Sequence, residues 1–128
     1  IYSSKNLNFG IGNIEKNNNS LNNKFVKKIL ALSNKNSNNK IDFEIQTEKK
    51  ISTKSKNSKG DALVFEIEIV LEILNIKGNS NDRETFTRKT TFKNSDDKFK
   101  LKQYEKELEE ILLSNLVKDL FNYLSNIQ

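Results

Sequence analysis

From Leu63 to Ile73 the odd-numbered residues are all apolar (Leu63, Phe65, Ile67, Ile69, Leu71, Ile73), while Glu66, Glu68 and Glu72 fall on even positions between them. A period of two sends successive side chains to opposite faces of an extended chain, so the odd residues form one face of a β-strand. A strand with one oily face and one carboxylate face belongs to a sheet that is covered on one side only. Another part of the chain has to supply that cover.

The same rhythm occurs just upstream. Ile41, Phe43 and Ile45 alternate with Asp42, Glu44 and Gln46, and the odd phase resumes at Ile51 and Thr53. Between the two segments, Asn57 to Asp61 has turn chemistry around Gly60, which makes the pair a hairpin. Charge selects its register. If Asn57 to Asp61 is the whole turn, Glu68 faces Lys50 and Ile67 faces Ile51, whereas a slip of two residues sets Glu68 against Glu48. The favoured register leaves Lys49 on the oily phase, a conflict that a β-bulge near Glu48 to Lys50 would relieve. A second turn, Lys77 to Asp82 with Gly78, leads into Arg83 to Phe92, a Thr-rich strand carrying Phe86 and Phe92. Leu7 to Ile14 also alternates, weakened by Gly10 and Gly12, and reads as a short edge strand.

Two segments have a helical period instead. Leu21, Phe25, Ile29 and Leu32 recur every three or four residues, Val26 and Leu30 widen the stripe, and Lys24, Lys27 and Lys28 fall outside it. Ser20 stands where a cap is needed, and Ser33 to Asn39 reads as a polar loop. After Phe92, Asn94 to Asp97 supplies a cap and negative charge for a long helix. Its stripe is Leu101, Tyr104, Leu108, Leu112, Leu116, Leu120, Leu124 and Ile127. Ile111, Leu113, Val117 and Phe121 broaden the second half, so that half should touch more than the sheet. The expected fold is α+β in the order β-α-β-β-β-α: a four-stranded, mostly antiparallel sheet with two helices packed on one face. A chain of 128 residues suits a single domain, 1–128.

The composition excludes much chemistry. Cys and His are both absent, which removes disulfides, thiolate nucleophiles, imidazole bases and nearly every soft-metal site. Ser therefore has nothing to activate it, and Gly60 and Gly78 stand alone, so there is no phosphate loop. Glu66 and Glu68 share a strand face and Glu105 and Glu109 a helix face, pairs that could suit a hard metal or glycoside hydrolysis. Such positions are normally charged because they are wet, so solvated surface is the expectation, with no enzyme activity, metal or cofactor. No window approaches the roughly 20 apolar residues needed to span a bilayer.

The net charge of +5 is uneven: residues 1–60 carry twelve Lys against four acidic residues, residues 61–128 ten Lys or Arg against thirteen. Twenty Lys against two Arg, with twenty Asn and no Pro, resembles AT-rich codon usage, which discounts the basic excess. What remains is local. Lys49, Lys50, Lys54, Lys56 and Lys59 form a run free of acidic residues at the end of the first hairpin, and Arg88 with Lys89 is expected on neighbouring sheet surface. These form the candidate site for an anionic ligand. A solvated, lysine-rich hairpin accounts equally well for any one of them. Nucleic-acid binding wants exposed aromatics among the basic residues, and Phe43 and Phe65 fall on the oily phase instead.

The element order and several local sequences resemble the LPS-assembly lipoprotein family LptE, over essentially the whole chain. Ile1-Tyr2 resembles the end of the family's segment after the lipidated cysteine. The strand Phe9 to Ile14, the helix Asn22 to Leu32 in the place of the family's Leu-x-x-x-Leu segment, the Glu-rich strand, and the strand Arg83 to Asn94 before a long terminal helix fall in the family's order. Phe92-Lys93-Asn94 resembles the family's aromatic-x-Asn ending of its last strand. The chain departs from the pattern in lacking the cysteine, which the resemblance puts just before Ile1.

The resemblance implies a lipid-anchored protein on the periplasmic face of the outer membrane, partnering an LptD-like β-barrel and binding lipopolysaccharide (LPS). Of the basic residues, Lys50, Lys54, Lys56, Lys59, Arg88 and Lys89 would then meet lipid A phosphates through charge-assisted hydrogen bonds. No nucleic acid is implied. The alternatives are an unrelated periplasmic adaptor, or a module of the same simple fold that binds another anionic ligand such as nucleic acid.

Overall fold

A computed structural model describes residues 10–16, 19–32, 40–75 and 82–126. The element order is β1 (Gly10–Lys16), α1 (Ser20–Leu32), β2 (Lys40–Lys56), β3 (Ala62–Asn75), β4 (Asp82–Lys93) and α2 (Lys98–Asn126). β2, β3 and β4 are antiparallel neighbours, as their alternation requires, and β1 runs parallel to β2 along its other edge. The Ile1-Tyr2 segment, the start of the first expected strand at Leu7 to Phe9, the loop Ser33 to Asn39, most of the second turn and Ile127 lie outside the described residues, as do the side chains of Ile41 and Phe43.

The hairpin register follows the charge pairing: Lys50 lies opposite Glu68 and Ile51 opposite Ile67. On one face of the sheet, Ile45, Ile67, Ile69, Leu71 and Ile73 are fully buried. Both helices lie on this face. α1 contributes Phe25 and Ile29, and α2 contributes Leu112, Leu113, Leu116, Val117, Leu120, Phe121 and Leu124 to the same core. Leu113, Val117 and Phe121 are the residues that widen the α2 stripe, and they are buried because α2 meets α1 as well as the sheet. Ile111 departs from expectation at 55% exposed.

Three further details correct the sequence reading. α1 is capped by Asn19, not Ser20: Asn19 Oδ1 accepts the Asn22 N–H at 2.7 Å, the ordinary geometry of an N-cap three residues upstream. The register of β2 against β3 runs unbroken past Glu48 to Lys50, and the irregularities fall instead at Thr53 to Lys56. Lys49 therefore does face the helices, and the conflict is resolved by charge. Its ammonium donates to Glu109 at 2.7 Å and to Glu105 at 2.9 Å. Lys24 of α1 donates to the other Glu109 oxygen at 2.7 Å, so a carboxylate only 6% exposed joins α1, β2 and α2. Glu105 and Glu109 are thus a clamp and not solvated surface. Burial penalises the Glu109 charge, but hydrogen bonds from Lys24 and Lys49 outweigh it and hold its pKa below the usual carboxylate value. Burial likewise opposes the charge on Lys49, and its hydrogen bonds to Glu109 and Glu105 outweigh that and raise its pKa.

The sheet outlasts its cover. β2 has 17 residues, roughly 55 Å of strand, whereas α1 has 13 residues, about 20 Å of helix. At the β2–β3 turn the sheet projects beyond α1 with only the start of α2 beside it, and Ile51 there is 42% exposed although its cross-strand partner Ile67 is fully buried.

Candidate functional site

The open end of the sheet begins with a tightly specified turn. Asn57 Oδ1 accepts the backbone N–H groups of Lys59 at 2.9 Å and Asp61 at 3.0 Å. The Asn57 N–H in turn donates to the Asp61 carbonyl, and the Gly60 N–H to the Asn57 carbonyl. Gly60 has φ of 87°, a left-handed conformation that residues with a Cβ rarely adopt, which is why glycine stands here. The turn holds Lys59 at the tip, with Lys56 one residue before it, and both are exposed.

The faces of the sheet sort the other basic residues. Lys50, Glu68 and Lys89 form one row on the face away from the helices. Lys54 reaches Glu66 on that face at 3.6 Å, and Lys50 reaches Glu48 at 3.8 Å. These are long contacts made by exposed lysines, of the kind worth little, so they leave the ammonium groups available to a stronger anion. Arg88 does not join them. As the neighbour of Lys89 in an extended strand it points to the helix side, where its Nε and one terminal nitrogen grip both Asp119 oxygens at 2.8 and 2.7 Å. The Asp119 hydrogen bond raises the Arg88 pKa. Among the predicted residues, then, Lys50, Lys54 and Lys89 share the uncovered face, Lys56 and Lys59 occupy the tip, and Arg88 ties β4 to α2.

The structure adds a second basic segment to this end. The Asn94 N–H donates to the Leu63 carbonyl at 3.0 Å, and its side-chain amide to the Ala62 carbonyl at 2.9 Å. These bonds tie the β4–α2 connection to the start of β3. Lys93, Lys98, Lys100 and Lys102, all exposed, therefore stand next to the hairpin turn. Four lysines within ten residues were visible in the sequence, but the surplus of acid over 61–128 conceals them in any tally by halves.

Between the turn and the connection is a shallow depression of about 520 Å³ lined by Asn57, Asp61, Ala62, Leu63, Asn94, Ser95 and Asp96. A second, about 330 Å³, lies between β4 and α2 against Phe92, Tyr104 and Leu108. A third, about 340 Å³, separates α1 from α2 beside Leu32, Val117 and Phe121. Among the described residues no three His, Cys, Asp or Glu side chains converge as metal ligands, and no helix is long and apolar enough to cross a membrane. The geometry offers a broad, wet, cationic end in place of an enclosed pocket, suited to a large anionic partner.

No family model matches the chain, and no curated protein matches it in sequence. Solved structures do. The rare lipoprotein B from Shewanella oneidensis superposes with a TM-score of 0.68 at 14% identity, covering 90% of this chain and 93% of that one. Lipoprotein B from Nitrosomonas europaea gives 0.63 at 12% identity over 94% and 86% of the two chains. A putative lipoprotein from Caulobacter crescentus gives 0.53 at 11% identity over 88% of each. The fold of this chain is that of these lipoproteins.

Proposed function

We propose that this chain is a lipid-anchored envelope protein of the LptE kind, one that scaffolds an LptD-like outer-membrane β-barrel and handles LPS on its way to the cell surface. The observation that carries this reading is the open basic end of the sheet, on a fold shared along nearly its whole length with bacterial lipoproteins. Lys50, Lys54, Lys56, Lys59 and Lys89 meet the phosphates of LPS there, where the ion pairs of Lys50 and Lys54 are long and weak and Lys56, Lys59 and Lys89 make none among the described residues. The closed end supplies the rigid body that a barrel partner grips. The anchor is a cysteine ahead of Ile1, on the periplasmic face of the outer membrane.

Two experiments test this reading. Affinity purification from membranes is expected to bring down an outer-membrane β-barrel, and recovery of cytosolic RNA in its place would favour the nucleic-acid alternative. Replacing Lys54, Lys56 and Lys59 together by Glu is expected to weaken LPS binding and to flatten its salt dependence. Unchanged LPS binding removes those three residues from the site. Arg88→Ala is the internal control, because Arg88 is engaged with Asp119 on the other face.

A further inference from the structure

The start of α2 has its acidic residues only ahead of the helix, at Asp96 and Asp97, and cations inside it. Asp97 Oδ1 accepts the N–H groups of Phe99 at 3.0 Å and Lys100 at 3.2 Å, so Asp97 is the N-cap and Lys98, Phe99 and Lys100 are the first three helical residues. The helix dipole is positive there and favours Asp or Glu, and the third position is where a capping box places Glu. α2 has no acidic residue in its first turn, and Lys102 follows the two lysines already there. Between those lysines Phe99 is 76% exposed, more than any other large apolar side chain among the described residues. Leu63 and Tyr104, at the same end, are 48% and 42% exposed.

In water the lysines at the positive end of the helix cost stability and the exposed Phe99 ring contributes none. Against a surface that carries phosphates above acyl chains, each becomes favourable: lysines reach the headgroups, and the phenyl ring goes below them. We propose that this corner is an interfacial docking site for an anionic lipid bilayer, with Lys98, Lys100 and Lys102 on headgroup phosphates and Phe99 among the upper acyl chains. Lipid is favoured over nucleic acid because Leu63 is aliphatic and half of the Tyr104 ring is turned into the depression against Phe92, which leaves Phe99 as the one largely exposed ring at this end among the described residues. β1 starts opposite Lys40, at the far end of the sheet, roughly 50 Å away. The contact is therefore separate from the start of β1. The proposal does not rest on the LPS reading.

The test is co-sedimentation of the full chain with phosphatidylcholine vesicles, with and without phosphatidylglycerol and free of LPS. The expected result is binding to the anionic vesicles alone, weakened at least ~5-fold by each of Lys100→Glu and Lys102→Glu. Phe99→Ser is expected to weaken it roughly 10-fold with an unchanged thermal midpoint. The chain has no Trp, so Phe99→Trp places a single reporter at the corner, and its emission should shift to the blue on anionic vesicles. Equal binding to neutral vesicles, unshifted emission in the bound state, or tighter binding of a single-stranded RNA that Phe99→Ser abolishes would each overturn the proposal. Loss of the LPS reading leaves these results unaffected, since the vesicles contain none.

Discussion

Ile67 and Ile51 face each other across β3 and β2, yet the first is fully buried and the second 42% exposed. Toward β1 the sheet is roofed by two helices and nailed to them by the Lys49 cluster. Toward the turn the same alternation continues with only the start of α2 beside it. Alternation determines which side of a strand is apolar, and the lengths of the helices determine how much of that side is sealed. The closed half stabilises the fold, and the open half is free to bind.

The sharpest way to break this comparison is to remove equal volumes from both halves. Ile69→Ala in the closed half is expected to cost about 3–4 kcal/mol, transfer and cavity terms together. Ile51→Ala should cost under about 1 kcal/mol, because its side chain is partly in water already. Urea denaturation of both variants provides the check, and equal losses would erase the distinction between the halves.

The Lys49 cluster comes next. Glu109→Ala leaves Lys49 with Glu105 alone and Lys24 without this partner. Removing one partner of a buried pair costs ~3–5 kcal/mol, and the partial exposure of both lysines reduces this to about 2 kcal/mol. pH gives the same answer from another direction. The folded-state pKa of Glu109 is lowered, so its contribution is present above the unfolded carboxylate value of about 4.3 and is lost as pH falls through the folded value. The stability gap between wild type and Glu109→Ala should therefore be full at neutral pH and close in acid. A gap that persisted in acid would show that the side chain acts through packing.

Arg88 and Lys89 sharpen the comparison between the faces. Arg88→Ala is expected to cost up to about 1 kcal/mol, since the guanidinium is partly exposed and its two-point grip on Asp119 is lost. Lys89→Ala should change stability by less than about 0.5 kcal/mol. If Lys89 serves the ligand and Arg88 serves the fold, LPS binding should respond in the opposite order.

That split was available from the sequence, because adjacent strand residues face opposite ways, and grouping Arg88 with Lys89 set the rule aside. The hairpin register was legible for a related reason: a turn with Gly60 and a Lys50–Glu68 pairing sit close together in the chain and constrain each other. The answer to Lys49 was not legible. Its partners lie 56 and 60 residues away on another element, and an i,i+4 glutamate pair reads as solvated surface until a cation is found beneath it. A local remedy, a bulge at Glu48 to Lys50, was the natural expectation, and a long-range charge supplied the remedy instead. Ile111 failed in the reverse sense. Its neighbours Leu112 and Leu113 are sealed by the sheet and α1, while its own direction meets neither. The basic corner at Lys93 to Lys102 went unseen as part of the site because only the Asn94 bonds to Ala62 and Leu63 bring it to the hairpin.

The smallest expected effect discriminates best between a fold role and a binding role at that corner. Lys100 holds the third helical position beneath the Asp97 cap. The cap's own N–H already donates to Ser95 Oγ at 3.1 Å, so Glu at this position acts through its charge, which suits the positive end of the helix. Lys100→Glu should therefore raise stability by about 0.5–1 kcal/mol, read as a higher thermal midpoint, while weakening adhesion to anionic lipid. A lysine kept for structural reasons has no cause to give a more stable protein when its charge is reversed. A variant that loses both stability and binding would mean that Lys100 supports the fold through a contact of its own. The open half would then owe its charge to architecture, and the contrast with the closed half would vanish at the place where it should be greatest.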